Sequence, residues 1–343
     1  MQNSKLKVKS CSLKYKVLLF AFLIITFDFA LLTLDLSKAH AQTFSLSVYP
    51  PLLEVMIMPG KSITQAYQIT NLGDKTAVNS QVVAFEPADE LGNISLRGLT
   101  SYEVRPPQTP QSWFNFENAD IALGQPFTLN PGQPQQIVLK IKIPEDARED
   151  DYYSTLLFST KPQGVIPGSG AQQAGIIGAN ILITVSRDGK PVKKGEIEEF
   201  TLLNCYIVKL FNFCLIDSFD QPKFLLRIKN TGRTFWKPFG KIKTEGLLRQ
   251  NWEREILPDN VLADSIRQIQ IATESASPAF LIGPFRAKAE FSLEEDGPSQ
   301  TRSANTFFLA LPIKALTGLL TAVVILFIFK STLRKSQGKV YKK

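Results

Sequence analysis

The sequence predicts an all-β protein: two β-sandwiches in tandem, followed by a single C-terminal transmembrane helix. Three observations predict it. From Phe44 onward, short apolar alternations are separated by Pro, Gly and Asn, with no long amphipathic helical period among them. A polar, basic, turn-rich segment, Arg187 to Gly195 (RDGKPVKKG), divides these alternations into two sets and reads as a linker. Finally, the 23 residues Phe307 to Phe329 are apolar except for Lys314 and two Thr. As a helix they are long enough to cross a hydrocarbon core of roughly 30 Å.

The amino terminus carries Lys5, Lys7, Lys9, Lys14 and Lys16 without an acid, then a mostly apolar stretch from Val17 to Leu36. Ala39-His40-Ala41 follows, with small residues where a signal peptidase reads them, so residues 1–41 form a secretory signal with cleavage between Ala41 and Gln42. Asp28 and Asp35 interrupt the apolar stretch, which leaves an uncleaved anchor as the competing reading. Either way the next segment is exported. At the other end, Lys330, Arg334, Lys335, Lys339, Lys342 and Lys343 mark residues 330–343 as a cytoplasmic tail.

A formal charge of +8 invites a nucleic-acid partner, but the charge sits at the two ends. Setting aside their 13 basic and two acidic residues leaves 26 basic against 29 acidic residues in the ectodomain, a net of −3. No nucleic acid is expected. The only histidine, His40, lies in the predicted signal, which excludes Ser-His-Asp and Cys-His nucleophiles and His-ligated metals from the exported part. No metal, other cofactor or enzymatic activity is expected.

The ectodomain, about 265 residues from Gln42 to Thr306, suits two domains of ordinary size. The first, 42–187, opens with Leu46 and Val48, then Leu53, Val55 and Ile57, around a Pro50-Pro51 pair that forces an edge position or a switch between sheets. Ile63, Tyr67 and Ile69 follow on one strand that closes on Asn71-Leu72-Gly73. Residues 78–96 read as two strands around a turn at Asp89 to Asn93. Trp113, Phe114 and Phe116 supply a large core payload, and Ile137, Leu139, Ile141 and Ile143 line one strand face. The strand YYSTLLFST comes next, then a Gly/Ala/Gln loop from Gly164 to Gly178, then a last strand carrying Ile181, Ile183 and Val185. Some seven strands at this spacing are what an immunoglobulin-like sandwich needs.

The second domain, 196–303, follows the linker 188–195. FLLRIKN ends on Asn230-Thr231-Gly232, as the earlier strand ends on Asn71-Leu72-Gly73, which suggests two copies of one immunoglobulin-like sandwich. Further strands are read in KPFGKIKTEGLL, DSIRQIQIAT and FLIGPFRAKAEFSL, then a polar stalk from Ser292 to Asn305, then the transmembrane helix 307–329.

The first half resembles the ectodomain of WxL-interacting surface proteins of Gram-positive bacteria. The likeness lies in Pro59-Gly60 through Gly73, in Ala84 to Ile94 (AFEPADELGNI), and in Leu129-Asn130-Pro131-Gly132 through Ile143-Pro144 and Tyr153. It departs at Ser159, Thr160 and Lys161, where a glycine-rich closing motif would stand, and no binding residue is carried over. The resemblance implies two immunoglobulin-like domains on one membrane helix, the first linked to peptidoglycan binding and the second to binding of a WxL protein or of the host.

Four features are candidates for chemistry or binding. Cys205 and Cys214 flank a hairpin turning at Lys209-Leu210, which sets them opposite each other within disulfide range; two buried free thiols are the alternative. The acidic run Glu145, Asp146, Glu149, Asp150, Asp151 lacks the regular spacing of a calcium loop and reads as a solvated turn. Glu253 and Glu255 are carboxylates without a supporting pattern for catalysis. Phe235, Trp236 and Phe239 are either core or interdomain packing, or an exposed binding patch with Arg233 and Lys237. Taken together, the residues predict a membrane-anchored, extracellular binding protein of a bacterial cell envelope, docking another surface protein or peptidoglycan. A membrane-tethered chaperone for secreted subunits is the alternative reading. Exposed sandwich edges suit both.

Overall fold

A computed structural model describes residues 45–97, 109–160, 175–208, 213–247, 249–271, 277–294 and 301–340. The predicted signal with its Ala41–Gln42 junction and the Lys209-Leu210 turn lie outside the described residues. The first sandwich is built from β1 (Leu46–Tyr49), β2 (Leu52–Ile57), β3 (Ser62–Asn71), β4 (Thr76–Pro87), β5 (Ile94–Leu96), β6 (Phe114–Phe116), β7 (Phe127–Leu129), β8 (Pro134–Lys142), β9 (Asp151–Thr160) and β10 (Ile176–Val185). One sheet runs β1-β3-β8-β6. The other runs β2-β10-β9-β4-β5, with β7 also on β4.

Pro50-Pro51 does switch sheets: β1 pairs with β3 in the first sheet, while β2 pairs in parallel with β10 in the second. Between the sheets, Tyr67, Ile69, Ile137, Leu139, Ile141, Ile181 and Ile183 are fully buried, so the alternations of β3, β8 and β10 all point their apolar members inward. Trp113, Phe114 and Phe116 join the same core. The Pro-Gly turns that precede β3 and β8 need positive φ, and Gly60 (φ 77°) and Gly132 (φ 69°) supply it.

The second sandwich comprises β11 (Gly195–Leu202), β12 (Tyr206–Val208), β13 (Phe213–Asp217), β14 (Phe224–Asn230), β15 (Phe239–Gly246), β16 (Asn251–Ile256), β17 (Ile266–Ile269), β18 (Gly283–Ser292) and β19 (Arg302–Leu311). Its sheets run β11-β14-β17 and β12-β13-β19-β18-β15-β16. Trp236, Leu226, Ile228, Ile242, Phe285, Phe291 and Phe308 fill the space between them.

The repeated Asn-x-Gly has one physical role in both halves. Asn71 and Asn230 are almost wholly buried, and each side-chain oxygen accepts from the N–H two residues on, at Gly73 (3.0 Å) and Gly232 (2.8 Å). The Asn230 amide also donates to the carbonyls of Thr234 (2.9 Å) and Val261 (3.0 Å), and Asn71 donates to those of Asp74 and Leu129. Each Asn ends a strand and satisfies the carbonyls of the loops around it, a function neither Asp nor Gln reproduces at this length.

Two boundaries differ from the sequence reading. Phe307 to Leu311 are not transmembrane helix: they complete β19, with Phe308 and Ala310 buried in the sandwich core and Phe307 pointing out. A period-2 strand was hidden inside a continuous apolar run, and Pro312 ends it. The helix α1 runs Ile313–Val340, and its stretch Ile313–Lys330 is apolar and unburied, spanning about 27 Å at 1.5 Å per residue. The expected polar stalk from Ser292 to Asn305 is not one: Ser292 ends β18, and Arg302 to Asn305 belong to β19, paired with β18, so this segment joins two strands of the sandwich. Strand β16 escapes a reading of apolar alternation because NWEREI carries only two apolar residues in six, Trp252 and Ile256. The third inward position is Arg254, buried with its guanidinium carbon 5.8 Å from the centre of the Phe224 ring.

Asn230→Ala should cost about 3 kcal/mol, because it orphans one buried N–H and two buried carbonyls at once. Chemical denaturation checks it. A loss below about 1 kcal/mol would mean water replaces the amide.

Candidate functional site

Two features of the first sandwich stand out from its core: a polar junction on the outer face of β9–β10, and an open backbone edge on β10. Alternation along β9 puts Tyr152, Ser154 and Leu156 toward one side and Asp151, Tyr153 and Thr155 toward the other. That second side is covered by the second sandwich. Phe85, Tyr153 and Leu182 pack there with Phe235, Leu262 and Ala263, and the Phe85 and Tyr153 rings stack at 5.6 Å.

Inside this contact, Asp151 is fully buried and accepts three hydrogen bonds: from the Phe235 N–H, from the Thr184 hydroxyl (2.7 Å) and from the Tyr153 hydroxyl (2.8 Å). The Tyr153 oxygen in turn accepts from the Ala263 N–H at 3.0 Å. Both chains of bonds cross from one sandwich to the other. Burial pushes the Asp151 carboxyl up to about 7, against the pull of its three donors, and burial pushes the Tyr153 phenol well above its usual range. At the rim, Glu54 meets Lys237 (2.7 Å) and Asn260, and Glu90 receives the Arg227 guanidinium through both oxygens. Beside the linker lies a cavity of about 550 Å³. Glu149, Asp150, Asp188, Lys190, Lys194 and Arg233 line it with mixed charge.

The sequence places Asp151 in a solvated acidic turn, and the structure corrects this: it is the first residue of β9, and its face is closed by a second domain whose docking leaves no local mark in the sequence. The aromatic triplet is not one exposed patch either. Trp236 is 2 % exposed in the second core with its Nε1–H on the Lys194 carbonyl (3.1 Å), Phe235 packs in the junction, and Phe239 is half-buried at the start of β15. Glu253 and Glu255 lie exposed on β16, with Glu253 paired to Lys241.

Cys205 and Cys214 are joined as a disulfide with Cα atoms 5.4 Å apart. They are not directly opposed: Cys214 faces Ile207, and Cys205 lies just ahead of β12, diagonal to its partner on the same face. The hairpin register therefore differs by two from the one expected, with 209–212 between the last paired residues. Among the described residues, no group of three or more His, Cys, Asp or Glu is arranged to hold a metal.

The open edge arises where β2 stops short. β2 pairs with β10 only from Asn180 to Val185, and the Asn180 N–H donates to the Pro51 carbonyl at 2.8 Å. Beyond that point the chain leaves through Pro50 for the other sheet. On its opposite side β10 pairs with β9 throughout, and the Thr160 N–H on the Gly175 carbonyl (3.0 Å) sets the odd-numbered residues toward β9. Ile176 and Gly178 therefore aim their N–H and C=O groups outward, with no partner among the described residues. The sequence places Ile176 to Gly178 in the Gly164–Gly178 loop; the structure puts them in β10. Gly178 is required there, since a Cβ would stand 2.6 Å from Thr155 Cγ2 and 2.9 Å from Leu157 Cδ2. Along the same edge Ile176, Leu52 and Met56 project from the outer face, 68, 40 and 48 % exposed.

No family model and no curated protein sequence matches this chain. Among solved structures, the class 5 fimbriae chaperone CfaA is similar at 8 % identity and a TM-score of 0.37, covering 77 % of this chain and 99 % of its own. The E. coli chaperone DraB is similar at 12 % identity and 0.36, covering 77 % and 99 %. The Salmonella enterica SafA pilin in complex with the SafB chaperone gives 11 % and 0.32, covering 78 % and 98 %. Likenesses at this level carry no argument about this chain.

The junction carboxyl makes stability pH-dependent. Its folded pKa lies above its unfolded value, so its contribution is fully present below about pH 4 and is lost as pH rises through about 7. From Asp151 alone, Tm should fall by roughly 5 °C between pH 5 and 8. Asp151→Asn, which can accept from Phe235 and Tyr153 and donate to Thr184, should flatten that slope. Calorimetry over this range checks it, and an unchanged slope in the variant would place the titration elsewhere.

Proposed function

We propose that this chain is a membrane-anchored binding protein of the cell envelope that takes a strand of a partner protein along the open edge of β10. The observation that carries the reading is the outward backbone of Ile176 and Gly178, without a partner among the described residues, continued by the exposed Ile176, Leu52 and Met56. An added strand would gain main-chain hydrogen bonds at the edge and apolar contacts from alternate side chains, the two ingredients of strand addition. The layout of exported sandwiches on one helix with a basic tail inside is also the one expected of WxL-interacting surface proteins, and membership of that family is part of the proposal. The helix α1 supports the anchoring, and the Lys/Arg surplus after it supports a cytoplasmic tail. No observation at the edge favours peptidoglycan over a protein partner.

Ile176→Pro tests the reading. It removes one outward N–H while leaving the β9 ladder intact. In lipid nanodiscs, the full-length protein should capture a secreted protein of its own cell, and Ile176→Pro should weaken that capture about tenfold with Tm unchanged. Capture indifferent to Ile176→Pro, or sedimentation with bare cell wall alone, would contradict it. Edge-dependent capture of many partly folded proteins in place of one or a few would turn the reading to a tethered chaperone.

A further inference from the structure

We infer that the membrane end of the second sandwich is itself a lipid-contacting surface, seated in the bilayer interface beside the root of α1. The inference rests on reading α1 as a membrane span. Only Pro312 separates β19 from α1. The connection is braced further: buried Asp217 at the end of β13 accepts the Lys314 N–H at 2.8 Å, and the Lys314 ammonium lies on Asp220. Burial opposes it, but the N–H groups of Lys314, Phe219 and Ile313 hold the Asp217 carboxyl below its usual range, as an anion at a helix start should be. The sandwich is thus fixed at the point where the helix enters the membrane.

Hydrogen bonds set three loops at this level. The Ser218 N–H donates to the Leu311 carbonyl (2.9 Å), and the Leu281 N–H donates to that of Ser218 (2.8 Å). Gln250 ties in the third loop, donating to the Phe280 carbonyl (2.8 Å) and accepting from the Ile282 N–H (3.1 Å). The Leu247 N–H reaches the Pro284 carbonyl at 3.3 Å, one residue from the start of β18.

These loops carry exposed apolar side chains, and Leu203 and Tyr206, where β11 passes into β12, add to them: the Leu203 N–H is on the Lys223 carbonyl (2.8 Å) and Tyr206 pairs with Leu215. Among the described residues of the second sandwich, seven large apolar side chains are more than a third exposed, and five of them stand at this end: Leu203, Tyr206, Phe219, Leu247 and Phe280. Phe219 and Phe280 meet edge-on with ring centroids 5.2 Å apart, 57 and 39 % exposed. Leu257 and Phe307 are the two placed elsewhere. Facing water, such a cluster would be a liability. Beside an inserted helix it meets the headgroup region, where aromatic rings are favoured. The two carboxylates nearest the root are answered by Lys314, so they do not hold the surface away from lipid.

Photocrosslinking of the full-length protein in phosphatidylcholine nanodiscs tests this. Four variants carry benzoylphenylalanine in place of Phe219, Leu247, Leu257 or Leu326, and lipid adducts are read by mass spectrometry. The expected result is adducts at 219, 247 and, within the helix, 326, with none at 257 on the far end. Adducts at 326 without any at 219 or 247 would overturn the inference and leave the span standing. No adduct at 326 would overturn both.

Discussion

The antiparallel pairing of β9 with β10 is the interaction on which the rest of this structure depends. Its inner face, from Tyr152 and Leu156 to Ile181 and Ile183, closes the first core. Its outer face, from Asp151 and Tyr153 to Leu182 and Thr184, holds the second sandwich. Its edge at Ile176 and Gly178 is a stretch of ladder that the neighbouring strand β2 fails to cover. A strand buried on both faces cannot slip by one residue without turning core residues out and a carboxylate in, so its register is heavily constrained. The same constraint keeps the edge groups aimed outward.

From this pair the chain is continuous in mechanical terms. The second sandwich meets the first through a buried carboxyl that has no counter-ion among the described residues and is satisfied by three directional donors. The same sandwich then passes into α1 with one intervening residue. Apolar loops stand around that root, and Asp217 caps the helix start. The two sandwiches are joined by a short, hydrogen-bonded connection, with the Val192 and Lys194 carbonyls taking the Thr234 hydroxyl and the Trp236 indole N–H.

Much of this was legible in the residues. Period-2 alternation found β1, β2, β3, β8, β10, β14 and β18, and Pro50-Pro51 announced the sheet switch, because a missing donor has a fixed consequence in a ladder. The paired Asn-x-Gly steps marked equivalent strand ends because only a short amide both accepts and donates there. What failed to show was set by partners distant in sequence. Asp151 sits in an acidic run, and its burial follows only from a domain that arrives about 80 residues later. Phe307 to Leu311 share the composition of the helix they precede, so hydropathy merged strand and span. The free edge at Ile176 was hidden for a subtler reason: composition reads a Gly- and Ala-rich segment as loop, although here the glycine is needed beneath Thr155 and Leu157.

Amide hydrogen exchange at four consecutive residues tests the central claim most directly. In the free protein, the N–H groups of Ile177 and Ala179 should be protected by β9, while those of Ile176 and Gly178 exchange rapidly. Binding of the partner should slow Ile176 and Gly178 and leave the other two unchanged. Uniform protection across all four in the free protein, or a bound partner that leaves Ile176 and Gly178 fast, would contradict strand addition at this edge.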